Sequence, residues 1–194
     1  MTWQSILSIS LGAIFFENFV LVRFLGVCPF LGVSKKTDAA LGMGLAVTFV
    51  MTVAAAASWG IQRFLALLSV PFLETLAFIL VIAALVQMIE MFMQKRLPAL
   101  HKALGIYLPL ITTNCAILGV VLINAGSESG FFESVLFAFC SGIGFSVALL
   151  LFSSVRARLE FSEHPEAFEG FPIALITAGL IALAFTGFAG VRIF

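Results

Sequence analysis

Cys28-Pro29-Phe30-Leu31-Gly32-Val33 in the first half of the chain returns as Cys115-Ala116-Ile117-Leu118-Gly119-Val120 in the second. Both read C-x-x-L-G-V. Further along, Gly42-Met43-Gly44-Leu45-Ala46-Val47 follows the first copy and Gly142-Ile143-Gly144-Phe145-Ser146-Val147 follows the second. Both read G-x-G, apolar, small, Val. A weaker third match sets Leu76-Ala77-Phe78-Ile79 against Ile173-Ala174-Leu175-Ile176. Three matches in the same order predict a duplicated unit. The alternative is chance likeness among Leu-, Gly- and Val-rich helices, which membranes favour anyway.

The medium around this chain follows from its composition. Of 194 residues, 62% are hydrophobic and 10% charged, with a mean hydropathy of +1.18. Soluble domains carry roughly 25% charged residues. A water-soluble fold of this size could not hide so much apolar surface, so lipid is the expected solvent. The formal net charge of zero argues against a nucleic-acid partner. No polar stretch is long enough for a second domain, so residues 1–194 are read as one membrane domain. The N-terminal run lacks a basic region, so no cleavable signal peptide is expected.

A spanning helix needs roughly 20 mainly apolar residues. Breaks at charged, Gly and Pro positions divide the chain into six spans, at about 4–32, 39–60, 70–93, 103–124, 131–154 and 171–191. The duplicated unit then holds three spans, with repeat one at about 1–97 and repeat two at about 98–194. Three is odd, so the second copy enters the membrane upside down. The expected fold is an all-α integral membrane protein of six transmembrane helices in two inverted three-helix repeats. Such folds place functional sites near the midplane, where the repeats meet.

Lys35, Lys36, Lys95, Arg96, Lys102, Arg156 and Arg158 fall in loops one, three and five. The opposite side carries Arg63 and Arg192. This bias puts the odd loops in the cytoplasm and both termini outside.

A single buried cysteine in a membrane helix is usually a small soft hydrophobe. Cys28 and Cys115 are different, because an inverted pseudo-twofold carries one onto the other. Cys140 has Ala40 as its counterpart and is read as structural. Two thiolates do not complete a metal site, since iron–sulfur clusters and structural zinc usually take four ligands. A cluster on Cys28 and Cys115 therefore needs two more ligands, from a second copy or from a related partner chain. The other option is a mid-membrane disulfide.

Irregular backbone is expected at both cysteines. The first span is longer than a straight crossing needs. Pro29 removes an amide next to Cys28, with Gly26 and Gly32 on either side. Pro109 and Thr112-Thr113-Asn114 precede Cys115. Spans one and four are therefore read as broken helices, whose free amides could donate to cluster sulfurs. Ordinary proline kinks, with threonines bonded back to their own helix, are the alternative.

Intramembrane charges are functional hypotheses by default. Glu17 and Arg23 lie in span one, and Glu74 and Glu90 in span three. Glu90 stands about a turn from Lys95 and Arg96, which suits either a paired surface carboxylate or an ion-entry carboxylate helped by Gln87. His101 and His164 sit in polar loops without metal-ligand spacing.

The run Glu17-Asn18-Phe19-Val20-Leu21-Val22-Arg23-Phe24-Leu25-Gly26-Val27-Cys28-Pro29-Phe30, continuing to Gly32-Val33-Ser34-Lys35-Lys36, resembles the membrane subunits of the Rnf complex. So do residues 104–120 (LGIYLPLITTNCAILGV) and 174–190 (ALITAGLIALAFTGFAG). The likeness covers essentially the whole chain and is greatest to the A-type subunits. A near alternative is the related E subunit of the sodium-pumping NADH:quinone oxidoreductase.

The resemblance implies a subunit of a redox-driven ion translocase in the inner membrane of a prokaryote. It would relay electrons between ferredoxin and NAD while Na+ or H+ crosses the membrane. It further implies one [2Fe–2S] cluster within the membrane, with Cys28 and Cys115 as two ligands and an oppositely inserted relative, the E subunit, giving the other two. Subunits B, C, D and G would complete the complex and hold the flavin and NAD sites. Two other readings fit composition and repeat alone. A small secondary transporter would keep its transport without the thiols, and a structural scaffold would assemble without iron.

Overall fold

The computed structural model describes residues 3–16, 18–34, 37–68, 74–96, 110–111, 113–127, 129–159 and 170–189, with positions 161, 165 and 168. Most of the described residues are helical, and none of them forms a strand. The order is α1 (Trp3–Leu11), a π-helical turn (Gly12–Phe16), α2 (Val27–Val33), α3 (Thr37–Leu68), α4 (Glu74–Arg96), α5 (Cys115–Gly126), α6 (Phe131–Leu159) and α7 (Phe171–Ala189).

Two helices, α3 and α6, are long and apolar enough to cross a membrane. At 1.5 Å per residue they run about 48 and 44 Å, against a hydrocarbon core of about 30 Å. They form the centre of the molecule and pack against each other more extensively than any other pair. Ser34, at the foot of α2 beside α3, meets Arg156. On α3 itself Gly44 meets Ser146, Thr48 meets Gly142 and Trp59 meets Phe131. Each step forward on the α3 side is thus matched by an equal step back along α6, so the two are antiparallel in constant register.

Glycine makes this approach possible. A β-carbon on Gly142 would stand 2.7 Å from Thr48 Cα, and one on Gly44 would stand 2.7 Å from Ser146 Oγ. Lipid gives apolar helices no solvophobic reason to associate, so close backbone packing through small residues carries the contact. Thr48 and Ser146 hydroxyls lie 3.2 Å apart across the seam. Each also bonds back to its own helix, Thr48 to the Gly44 carbonyl and Ser146 to that of Gly142. Both seam hydroxyls are thereby satisfied.

Around this pair, α4 and α5 pack on α3, while the π turn and α7 lie against α6. The outward faces are apolar. Leu45 is 64% exposed, Phe49 59% and Leu80 70%, a surface suited to lipid or to apolar neighbours.

The end of α3 differs from the expected span. Helix α3 runs to Leu68, through Gly60, Gln62 and Arg63, where the sequence predicts a break near residue 60. The polar side chains are accommodated without ending the helix. Gln62 Nε2 donates to the Ala125 carbonyl at 2.7 Å, and the Arg63 guanidinium lies 5.3 Å from the centre of the Trp59 ring. Helix α5 begins at Cys115, preceded by helical residues 110–111, within the span that the sequence predicts from about 103. Residues 103–109 lie outside the described part. The sequence also places Arg23 in a helical span, but residues 18–26 are non-helical. The Arg23 guanidinium sits 5.7 Å from the centre of the Phe19 ring.

Candidate cysteine site

The site is built where the backbone leaves the helix. The π turn ends at Phe16 and α2 begins at Val27. Asn18 shapes the segment between. Its Oδ1 accepts from the amides of Val20 and Leu21, and its Nδ2 donates to the carbonyls of Ile14 and Gly144. One buried amide side chain thus satisfies two backbone donors and ties the segment to α6, meeting the need to pair every buried polar group. The Leu25 amide closes the loop on the Phe19 carbonyl at 2.8 Å. Gly26 then turns the chain into α2 with φ 83.

Helix α2 has seven residues and is about 10 Å long. Phe30, fully buried, stacks on Phe152 with ring centres 4.3 Å apart, which fastens α2 to α6. At its other end Arg156 Nη1 donates to the Leu31 carbonyl at 3.0 Å and to Ser34 Oγ at 2.8 Å. These acceptors belong to the last turn, where a helix has carbonyls without internal partners and a cation is favourable.

The second cysteine follows a comparable turn. The Asn114 amide donates to the Ile111 carbonyl, and Asn114 then caps α5, its Oδ1 accepting from the Ala116 amide at 3.0 Å. Asparagine is among the best N-caps because it supplies an acceptor to an otherwise orphaned amide. That bond fixes the orientation of the side chain and leaves Asn114 Nδ2 buried without a partner. Cys115 is the first residue of α5 and Cys28 the second of α2.

The structure joins these two turns. The Gly26 amide donates to Cys115 Sγ at 2.9 Å. Two residues beyond Gly26, Cys28 is exposed, while Cys115 is half-buried; both are free thiols. Leu25 seats on Gly119 in α5, and Leu110 faces Gly32 in α2. Each of the two turns thus lays a leucine against the glycine of the other's C-x-x-L-G-V motif. Cys28 opens into a cavity of about 520 Å³, lined also by Val27, Leu31, Gly32, Arg156 and Phe171.

Among the described residues, no three His, Cys, Asp or Glu side chains are grouped as metal ligands. The donor set available is two soft thiols, one of them held by a backbone amide and the other open to a neighbour. That is suited to half of a four-thiolate iron–sulfur centre. Cys140 is buried in α6, away from the open surface. The side chains of Glu74 and Glu90, and all of Glu17, lie outside the described residues.

Three contributors have a signal in the sequence that the repeated motifs do not capture. Asn114 directly before an apolar run is an N-cap signature. In one dimension Gly26 registers only as a flank of Pro29, and Arg156 only as a loop cation.

Residues 6–192 match the family model described as Rnf-Nqr subunit, membrane protein. The chain belongs to the Rnf-Nqr subunit family. Rnf-Nqr relatives align over nearly the full length. The A subunit of the Na(+)-translocating ferredoxin:NAD(+) oxidoreductase complex of Acetobacterium woodii is 55% identical over 191 residues, which is 98% of this chain and 100% of the relative. The A subunit of the ion-translocating oxidoreductase complex of Azoarcus sp. is 56% identical over 188 residues, 95% of this chain and 96% of the relative. That of Syntrophotalea carbinolica is 55% identical over 188 residues, 96% and 97%. Family and apolar helices together make this a membrane protein.

Proposed function

We propose that this chain is the A-type membrane subunit of an ion-translocating ferredoxin:NAD oxidoreductase complex. Near-full-length likeness to subunits that bear that name carries the reading. The complex is a redox-driven translocase, whose active site this chain would share with its partner subunits. Cys28 and Cys115 would hold half of a [2Fe–2S] cluster, with two further thiolates from the related E subunit. The cluster, when bound, supplies one-electron transfer within the membrane. The chain's own part is to present the two thiols, direct an amide at one sulfur, and keep the surroundings apolar.

An inverted three-helix repeat is part of the same reading. The register of α3 against α6 supports it, because it sets Leu45 level with Phe145, its own counterpart in the duplicated sequence. The reciprocal leucine-on-glycine contacts around the two cysteines support it as well. Spans one and four would then be helices broken at the cysteines, and the antiparallel halves would place both turns at similar depth. Both termini would face outward from the prokaryotic inner membrane, with loops one, three and five cytoplasmic. Subunits B, C, D and G would carry the flavin and NAD chemistry. Glu90, on α4, is proposed as an ion-entry carboxylate.

The test is electron transfer from reduced ferredoxin to NAD by the complex in proteoliposomes, with 22Na+ uptake followed in parallel. Cys28→Ser and Cys115→Ser should each abolish both in an assembled complex. Ion uptake that persists in both variants would instead favour a transporter in which the thiols only pack.

A further inference from the structure

Gly26 is the point where the two cysteine turns touch. Its amide donates to Cys115 Sγ at 2.9 Å. Its φ of 83 lies in the left-handed region, which a residue with a side chain adopts only at a cost. A β-carbon here would also stand 2.8 Å from Phe145 Cε2 and 3.1 Å from Ala116 Cβ. Two separate constraints, conformation and space, therefore demand glycine, and both serve to bring this amide up to the sulfur. The donor is also stiff, because Asn18 and the Leu25–Phe19 bond fix the segment before it.

We infer that Gly26 is a positioning residue for the redox centre, acting through Cys115. The inference rests on the cluster reading above. A hydrogen bond to a ligand sulfur draws off electron density and favours the reduced, more negative state of a cluster. One electron arriving at the centre adds one negative charge, and the Gly26 amide stabilises it without proton transfer. The first half of the chain thus tunes the ligand supplied by the second.

The experiment uses the whole complex from cells supplied with [15N]glycine. Pulsed electron paramagnetic resonance is recorded on the reduced cluster signal that disappears in Cys28→Ser. A glycine 15N coupling is expected in the wild type. Gly26→Ala should lose that coupling and lower the midpoint potential, while Gly60→Ala, where a methyl enters open space, should change neither. Should Gly26→Ala fail to assemble, Gly26→Ala with Phe145→Leu removes the ring edge and takes its place. A Cys28-dependent signal with no glycine coupling, or one whose coupling survives in Gly26→Ala, overturns the role of Gly26 and leaves the cluster reading standing. A wild-type complex with no Cys28-dependent signal overturns both.

Discussion

The α3–α6 seam and the segment from Asn18 to Ser34 draw on the same apolar, glycine-containing vocabulary but use it in opposite ways. In the seam, glycine permits two unbroken helices to approach. Gly142 sits against the Thr48 backbone, and the Thr48 and Ser146 hydroxyls each donate back to their own helix while lying 3.2 Å apart across the seam. In the segment, glycine makes the tight turn from which a short helix starts. Gly26 turns with φ 83, and its amide is directed at a sulfur instead of a carbonyl. Regular helices satisfy their own backbone in lipid, whereas a broken one needs outside partners. Asn18, Asn114 and Arg156 are those partners. The scaffold therefore depends on the absence of side chains, and the site depends on a few polar ones.

That contrast can be broken most severely in the seam. Gly142→Leu would drive a side chain into the Thr48 backbone, which cannot move away cheaply. Overpacking of this kind costs about 1–3 kcal/mol or more. The expected result is loss of intact complex on size-exclusion chromatography and a lower melting temperature, and an unchanged melting curve would show that the seam is loosely packed.

Arg156→Leu comes next. It leaves the Leu31 carbonyl and Ser34 hydroxyl without their cationic donor, at about 1.5–3 kcal/mol for a charge-assisted pair. Thermal stability should fall, and Cys28 should react faster with a membrane-permeant maleimide in iron-free preparations. Arg156→Lys should restore only part of this, since the shorter ammonium side chain has to reach both acceptors that Nη1 now serves. Full restoration by lysine would mean that charge alone is at work.

Asn114→Ala should cost about 1 kcal/mol through loss of the α5 cap, partly offset because the unpartnered Nδ2 goes with it. Asn114→Ser keeps a capping acceptor and removes that buried donor, so it should be closer to wild type in a thermal melt than the alanine variant. The reverse order would show that Nδ2 has a partner in the assembled complex. The smallest effect is expected at Cys140, which is buried beside small residues of α6. Cys140→Ala should lower stability by less than about 1 kcal/mol and leave any redox signal unchanged.

Much of this contrast is legible in the chain itself. The paired C-x-x-L-G-V strings single out Cys28 and Cys115, and the G-x-G strings single out the level at which α3 and α6 cross. Composition alone indicates lipid. The end of α3 is not legible, because Gly60, Gln62 and Arg63 look like a stop in one dimension. Their partners, the Ala125 carbonyl and the Trp59 ring, lie across the fold or a turn back along the same face. The Gly26 amide on Cys115 is hidden for a similar reason. A left-handed turn can be suspected from a glycine beside Cys-Pro, but its target lies in the other half of the chain. Arg156 reads from its charge as a marker of topology, and its bonds to the end of α2 depend on the same long-range register.

The proposed function turns on Cys28 and Cys115 holding one iron–sulfur centre together with a partner. It is tested most directly by iron and acid-labile sulfide content and electron paramagnetic resonance on the purified, reduced complex, with Cys28→Ser and Cys115→Ser beside the wild type. Either substitution should remove the same [2Fe–2S] signal, with its two irons and two sulfides, from a complex whose subunits remain together. Survival of every cluster signal and the full iron content in both variants would contradict it and return the two cysteines to the packing of the membrane core.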